Sequence, residues 1–341
     1  MKLSQWISLA TFVLTIYISW RIRQVLLLVF TATILATVLN RAVQRLQKSG
    51  VKRTVAVLIT VITILGILAF FSIAIVPPLV NQSQQLIEKV PLGIEQFNTW
   101  FFEWQEKLSV SNPLLENLRD SITRLIQIPQ PLKNQIFSNF FTLFSNTVSI
   151  IVSVLIVLIL TIMLLASPLQ YRKGFTRLFP ASFRSRVNDI LTLCEQGLTA
   201  WSIGLIFSMS VISLLSGIGL FVLGVPLILA NALLAGLLNF IPNVGPIFSV
   251  IPPMAIALLD APWKAVGVII LYILIQQVET NILTPLVMQK QVSILPAVTL
   301  VSQLIFAIFF GVPGLFLALP LTIILQVLVK ELLVKNILDR V

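Results

Sequence analysis

The chain has 341 residues, 57% of them hydrophobic and only 10% charged, with a mean hydropathy of +1.02; a soluble domain carries about 25% charged residues, so this composition excludes one and implies an integral membrane protein. The formal net charge of +11 does not point to nucleic acid, because the basic residues lie in short stretches between apolar segments, where they orient a chain in a bilayer. With one cysteine, Cys194, and no histidine, an internal disulfide, the usual Cys/His zinc sites and Ser-His-Asp hydrolysis lack parts, and neither cofactor nor metal is expected.

The start, "MKLSQWISLATFVLTIYISW", has the charged head and apolar body of a secretory signal. It continues into "RIRQ" and another apolar run with no small-residue cleavage site, so it reads as a retained membrane segment. The runs 3–20 and 25–39 are each short of the roughly 20 residues a spanning helix needs, and two tilted spans or a shallow hairpin both stand open. Next, "RAVQRLQKSGVKR" carries Arg41, Arg45, Lys48, Lys52 and Arg53 with no acid, the strongest cytoplasmic signal in the chain. The span 54–77 then leads outward and is expected to stop at Pro77 and Pro78. Residues 1–78 thus form an N-terminal membrane region with a basic cytoplasmic loop at 41–53.

Residues 79–140 differ in kind, holding five Lys or Arg and six Asp or Glu. Val90, Ile94, Phe97, Phe101, Trp104 and Leu108 recur at spacings of four and three, one helical stripe. Leu115, Leu118, Ile122 and Leu125 make a second stripe. Two external amphipathic helices follow, packed on each other or on the membrane surface, or serving as a lid or subunit contact.

The region 141–341 is the C-terminal membrane core. Its first span, 145–167, returns to a basic cytoplasmic loop at 168–190 with Arg172, Lys173, Arg177, Arg184 and Arg186. Turn signals divide the rest into 200–223, 226–259, 264–285 and 297–329, before a tail with Lys330, Lys335 and Arg340. The expectation is an all-α polytopic membrane protein of about eight transmembrane helices with both termini cytoplasmic. If both N-terminal runs cross, Arg21 and Arg23 face outside, against the rule. Gly217 and Gly219 are small residues of the kind that support close helix contact, including contact within a homo-oligomer.

Two apolar segments are too long for one plain helix. Thirty-three helical residues would reach about 50 Å against a core of about 30 Å. Both hold breakers near the middle: "IPNVGP" with Pro242, Asn243, Gly245 and Pro246, and "FGVPG" with Gly311, Pro313 and Gly314, followed by Pro320. Broken backbone at membrane depth is tolerated only where protein or a water-filled cavity satisfies its polar groups. Discontinuous or re-entrant helices are therefore expected, and in transporters such breaks form substrate sites. Asn239 and Asn243, four apart, can face the same way. Plain kinks packed against neighbours are the other reading.

In "LIQQVETNILTPLVMQKQ", Glu279 is the only acid between Asp260 and Glu331. Gln276 lies three residues before it, while Gln277, Asn281 and Thr284 form a second ridge ending at Pro285. An acid inside a span costs about 2.5–3.5 kcal/mol or more and marks a functional position, suited to proton exchange. An interfacial Glu hydrogen-bonded to the glutamines is the alternative.

The run "NFIPNVGPIFSVIPPMAIALL", with "VETNILTPLVMQKQ" and "GVPGLFLALPL" after it, resembles the autoinducer-2 exporter family of bacterial permeases. The likeness covers nearly the whole chain. The family's FIPxxGP motif matches Phe240, Ile241, Pro242, Gly245 and Pro246; its ExNxLxP motif matches Glu279, Asn281, Leu283 and Pro285; its GxxGxxLAxPL pattern matches Gly311, Gly314, Leu317, Ala318, Pro320 and Leu321. The chain departs from it in reading "PNVGP" for PYxGP, in Thr280 where Gly is common, and in Leu295 where His often stands. These changes fall around the expected site and bear on substrate more than on fold.

The resemblance implies a multi-pass permease of the bacterial inner membrane that exports small molecules, the quorum-sensing signal autoinducer-2 being the namesake. It also implies a second possibility, cation/proton antiport of the Na+/H+ type, with Glu279 carrying a proton or sodium. No GxxxxGK[ST] sequence occurs, so transport would run by diffusion or an ion gradient. A small-molecule substrate and the lipid bilayer are the expected partners, bound through Asn239, Pro242, Asn243, Gly245, Pro246, Gln276, Glu279, Asn281 and Pro285, with Gly311, Pro313, Gly314 and Pro320 as breaks or gates. A non-transporting scaffold is the reading from another class. An intramembrane protease would need a Ser/His or Asp/Asp pair within spans, which the sequence lacks.

Overall fold

The computed structural model describes residues 14–15, 17–18, 20–75, 77–78, 99, 103, 147–242, 244–285 and 296–332. Every regular element among them is a helix. In chain order these are α1 (Arg23–Lys48), α2 (Arg53–Ile75), α3 (Thr147–Ala166), α4 (Pro168–Arg177), a 3-10 turn (Ala181–Phe183), α5 (Arg184–Val222), α6 (Ile228–Leu238), α7 (Val244–Asp260), α8 (Pro262–Val278) and α9 (Pro296–Leu328). A π turn, Glu279–Leu283, continues α8.

Among the described residues, five helical stretches are long and apolar enough to cross a membrane, in α1, α2, α5, α8 and α9, or six where the bent pair α3–α4 is counted as one span. This is an all-α, multi-pass membrane protein. Of the eight expected spans, the first run lies largely outside the described residues, and 226–259 is two shorter apolar helices, α6 and α7. The external segment 79–140 also lies outside them apart from Thr99 and Glu103.

Two sequence boundaries shift. The stretch 41–53 is mostly helix, because α1 runs on to Lys48 and places Arg45 and Lys48 in its last turn, where cations complement the exposed carbonyls. The stretch 168–190 is α4, the 3-10 turn and the start of α5 rather than an open loop. Pro77 and Pro78 have helical backbone, since the fixed φ of proline is itself helical; the residues beyond them, where the helix is expected to stop, lie outside the described ones.

The chain divides into two compact units: Met1–Ile67, Val152–Ile206 and Pro285–Val341 form one, Leu68–Ile151 and Phe207–Thr284 the other. The first has a core of Val43, Ala56, Val57, Val61 and Leu165. At its edge Arg53 holds three helices together. Its Nε donates to the Leu165 and Ala166 carbonyls (3.1 and 3.0 Å), Nη2 to Leu165 O (2.7 Å) and Asn40 Oδ1 (3.2 Å), and Nη1 to Gln47 Oε1 (3.4 Å). Those carbonyls end α3 and have no partner along their own helix. The α1–α2 turn and the α3–α4 corner, both basic, therefore meet at one side of the membrane.

Within this unit α9 is not straight. Gly311 has φ 67° and ψ −147°, the one non-helical position inside the helix. The chain bends back so sharply there that a Cβ on Gly314 would overlap the Phe306 carbonyl oxygen and lie 2.6 Å from Phe310 Cβ. Along a straight helix those eight residues would span about 12 Å. The expected break at Gly311 is present as a fold-back. Pro313 sits in the first turn after it, where a missing N–H costs little. Pro320 is no break: it is buried within helical backbone.

The second unit is built around Ile212, Leu220, Ala257, Val268, Tyr272 and Ile275. Its α5 ends in a Schellman turn, with Val225 N–H on Leu220 O at 3.0 Å and Gly224 N–H on Phe221 O at 3.1 Å. Lys264 pairs with Asp260 and donates to Gly224 O (3.4 Å), tying that turn to the start of α8. Gly217 and Gly219 face Ala232 and Leu271 of the same unit, so these small residues serve helix packing inside the chain.

Candidate functional site

The break between α6 and α7 is a compact turn. Asn239, Phe240 and Ile241 donate their N–H groups back to Ala235, Leu237 and Leu238, while Val244 and Gly245 donate to Pro242 and Ile241. Pro242 has no N–H to satisfy. Unpaired backbone is expected at such a break, but the tight turn meets most of its own donors. Gly245 is buried where a Cβ would overlap the Leu238 carbonyl. Only glycine lets α7 start this close to the end of α6.

That closure turns Asn239 inward, 2% exposed. Its Nδ2 donates to Ser208 Oγ on α5 at 3.4 Å. Across from it, α8 presents Tyr272, Gln276 and Glu279 at spacings of four and three, one helical face. The Asn239 and Gln276 amides face the Glu279 carboxylate. Together with Ile212, Ala235, Pro246, Ser249 and Ile275 these residues line a small cavity of about 10 Å³, room for about one water molecule. Every lining residue belongs to the second unit.

Its polar inventory is unbalanced. Asn239 Oδ1, Tyr272 Oη and Ser216 Oγ are buried without a hydrogen-bond partner among the described residues, although the Ser216 hydroxyl faces the Tyr272 phenol. Ser249 Oγ is committed to Pro246 O at 2.8 Å. An unmet buried acceptor costs about 1–3 kcal/mol, and Asn239 Oδ1 is such a group beside a carboxylate that only accepts when ionised. The cavity therefore suits an occupant that donates hydrogen bonds.

Of the residues singled out in the sequence, Asn239, Pro246, Gln276 and Glu279 meet at this cavity. Gly245 shapes the turn, and Pro242 is half-buried within it. Asn243 lies outside the described residues. Asn281 is exposed, its Nδ2 on Gln277 Oε1 at 2.9 Å, and Pro285 is exposed beyond the π turn; neither lines the cavity. Tyr272 and Ser249 were missed. Both carry a register signal, Tyr272 four residues before Gln276 and Ser249 three after Pro246.

The family described as "AI-2E family transporter" matches residues 7–334. Among similar proteins, "Putative transport protein YueF" of Bacillus subtilis is 26% identical over 301 residues, covering 85% of this chain and 79% of its own. "Putative transport protein YhhT" of Escherichia coli is 27% identical over 304 residues, 87% and 81% of the two chains. "AI-2 transport protein TqsA" of E. coli is 34% identical over 100 residues, 29% of each chain. A match over almost the entire length, on a multi-pass helical frame with a polar cavity at a broken segment, makes this chain a member of the AI-2E transporter family.

Proposed function

We propose that the protein moves small hydroxyl-bearing solutes across the bacterial inner membrane through the site formed by Asn239, Gln276 and Glu279. The carrying observation is the unpartnered, buried Asn239 Oδ1 beside the Glu279 carboxylate, acceptors that a hydroxyl-rich solute satisfies and an apolar one does not. Autoinducer-2, the solute named for the TqsA relative, is a small polar furanone-type signal of this class, and export is the direction the family resemblance implies.

A cavity the size of one water is closed to a furanone. Solute entry thus requires the α6–α7 hairpin to separate from α8. Among the described residues Glu279 is the only acid lining the cavity, and it is our candidate for exchanging a coupling proton or sodium ion. The two basic segments joined through Arg53 lie in the cytoplasm on the positive-inside rule, and both termini share that side if the runs 3–20 and 25–39 each cross.

The test is autoinducer-2 flux in proteoliposomes with and without an imposed pH gradient. Saturable flux is expected, accelerated by the gradient in the wild type and not in Glu279→Gln. Absence of flux with folded protein rejects this solute; gradient acceleration that survives in Glu279→Gln rejects the assigned coupling.

A further inference from the structure

Helix α4 exposes the wrong face for a helix in water. It leaves α3 through a bend of 91°, with Arg53 holding the carbonyls at the corner. Its inner face is polar: Arg172 donates to Asn188 Oδ1 (2.9 Å) and Asn188 O (2.7 Å) on α5 and pairs with Glu195 at 3.6 Å, and Thr176 is buried. The stripe Tyr171, Phe175 and Leu178, at spacings of four and three, points away at 44, 47 and 79% exposure. Lys173 lies nearly opposite that stripe and Arg177 about a third of a turn from it, so both stand on the polar side of the helix, exposed and in no ion pair among the described residues.

An apolar stripe with unpaired cations on the opposite, polar face, on a helix lying at right angles to a membrane-crossing helix just where that helix ends, matches the boundary between acyl chains and headgroups. The aromatic and leucine side chains reach the acyl region. The two cations, four residues apart on the polar face, stay on the water side within a Debye length of the phosphates. We propose that α4 is a docking surface for acidic phospholipids, with Tyr171, Phe175 and Leu178 inserted at the bilayer interface and Lys173 and Arg177 attracting anionic headgroups from the polar face. A soluble partner protein would have to cover the stripe in competition with the bilayer edge beside it. Free phosphate would leave the stripe bare.

The experiment uses the full chain in nanodiscs of equimolar phosphatidylglycerol and phosphatidylcholine. In a Cys194→Ala background, Phe175→Cys carries a spin label whose accessibility to oxygen and to a water-soluble nickel chelate reports depth. A label protected from the chelate is expected, unchanged by added inorganic phosphate; a chelate-accessible label overturns the docking. The second readout is the ratio of the two lipids retained per protein after detergent extraction. Each cation contributes about a fivefold preference for acidic lipid, so Lys173→Gln with Arg177→Gln is expected to lower enrichment at this site by up to about 30-fold. An unchanged ratio overturns the headgroup assignment. Arg172 is left intact because it holds α4 to α5, and should the double variant not fold, the single Arg177→Gln variant with its roughly fivefold effect decides the same point.

Discussion

Replacing Gly245 with alanine is expected to disable the site without touching a polar group in it. The added Cβ would overlap the carbonyl of Leu238 and stand 3.1 Å from the Asn239 nitrogen, where ordinary contact begins at 3.4 Å. Both obstacles are backbone, so no side-chain rotation relieves them. The turn must open by tenths of an ångström at Asn239 and by more at Leu238. Overpacking of a tight core costs about 1–3 kcal/mol, and a backbone obstacle places this substitution at the upper end.

Opening the turn displaces Asn239 from Ser208 and Glu279. If the whole cost falls on the closed arrangement, about 3 kcal/mol shifts the equilibrium between closed and open turn roughly 150-fold toward the open one. The assay pairs thermal unfolding of the purified protein with flux in proteoliposomes. Gly66→Ala is the control, because nothing lies within 4 Å of that position on α2, and removing a helical glycine there is expected to be neutral or to stabilise by up to about 1 kcal/mol. A Gly245→Ala protein that matches this control in both measurements would refute the close approach of α7 to the end of α6.

Gly311→Ala and Gly314→Ala are expected to destabilise for different reasons, the first through φ 67° with open space around it, the second through Phe306 and Phe310. Because Gly311 combines φ 67° with ψ −147°, close to a region that glycine alone populates readily, asparagine should recover none of the loss at 311 and none at 314, as read by thermal unfolding. Arg53→Lys keeps the charge and loses the planar fork over Leu165 and Ala166; a loss of about 1.5–3 kcal/mol in chemical unfolding is expected, the worth of a hydrogen bond to a charged group. Asn239→Leu removes an unsatisfied buried acceptor, so its stability should stay within about 1 kcal/mol of wild type or rise while flux is lost; loss of folding together with flux would make Asn239 structural.

The positions of the breaks were legible in the sequence because proline and glycine inside an apolar segment have few other uses. Their shape was not. "FGVPG" reads the same for a kink and for a reversal, and the outcome depends on the φ and ψ that Gly311 adopts against Phe306 and Phe310. Glu279 stood out by charge alone, and Gln276 by its spacing from Glu279. Asn281 belongs to the same motif but leaves the site, since each helical residue turns about 100° and position 281 falls on the exposed side with Gln277. Tyr272 was hidden because an aromatic in an apolar helix looks like core, which it also is. Gly217 and Gly219 showed that a neighbour would come close, while tertiary packing alone selected Ala232 and Leu271.

Among the described residues, each of the two units contains an apolar segment turned back on a glycine, and one of these turns has a polar site. Gly245 lies against the Leu238 carbonyl and Gly314 against that of Phe306, the same solution to bringing two limbs together. At the first turn Asn239 and Ser249 are buried and a cavity results. At the second, residues 304–317, "LIFAIFFGVPGLFL", contain no polar side chain. A break at membrane depth is therefore not costly enough to demand a ligand, since short turn hydrogen bonds meet most of the donors in the first case. What distinguishes the first turn is the polar side chains it buries. The expected functional asymmetry follows: substitutions at the Gly311 turn act through geometry and stability, whereas those at Asn239 and Glu279 change which solute is accepted.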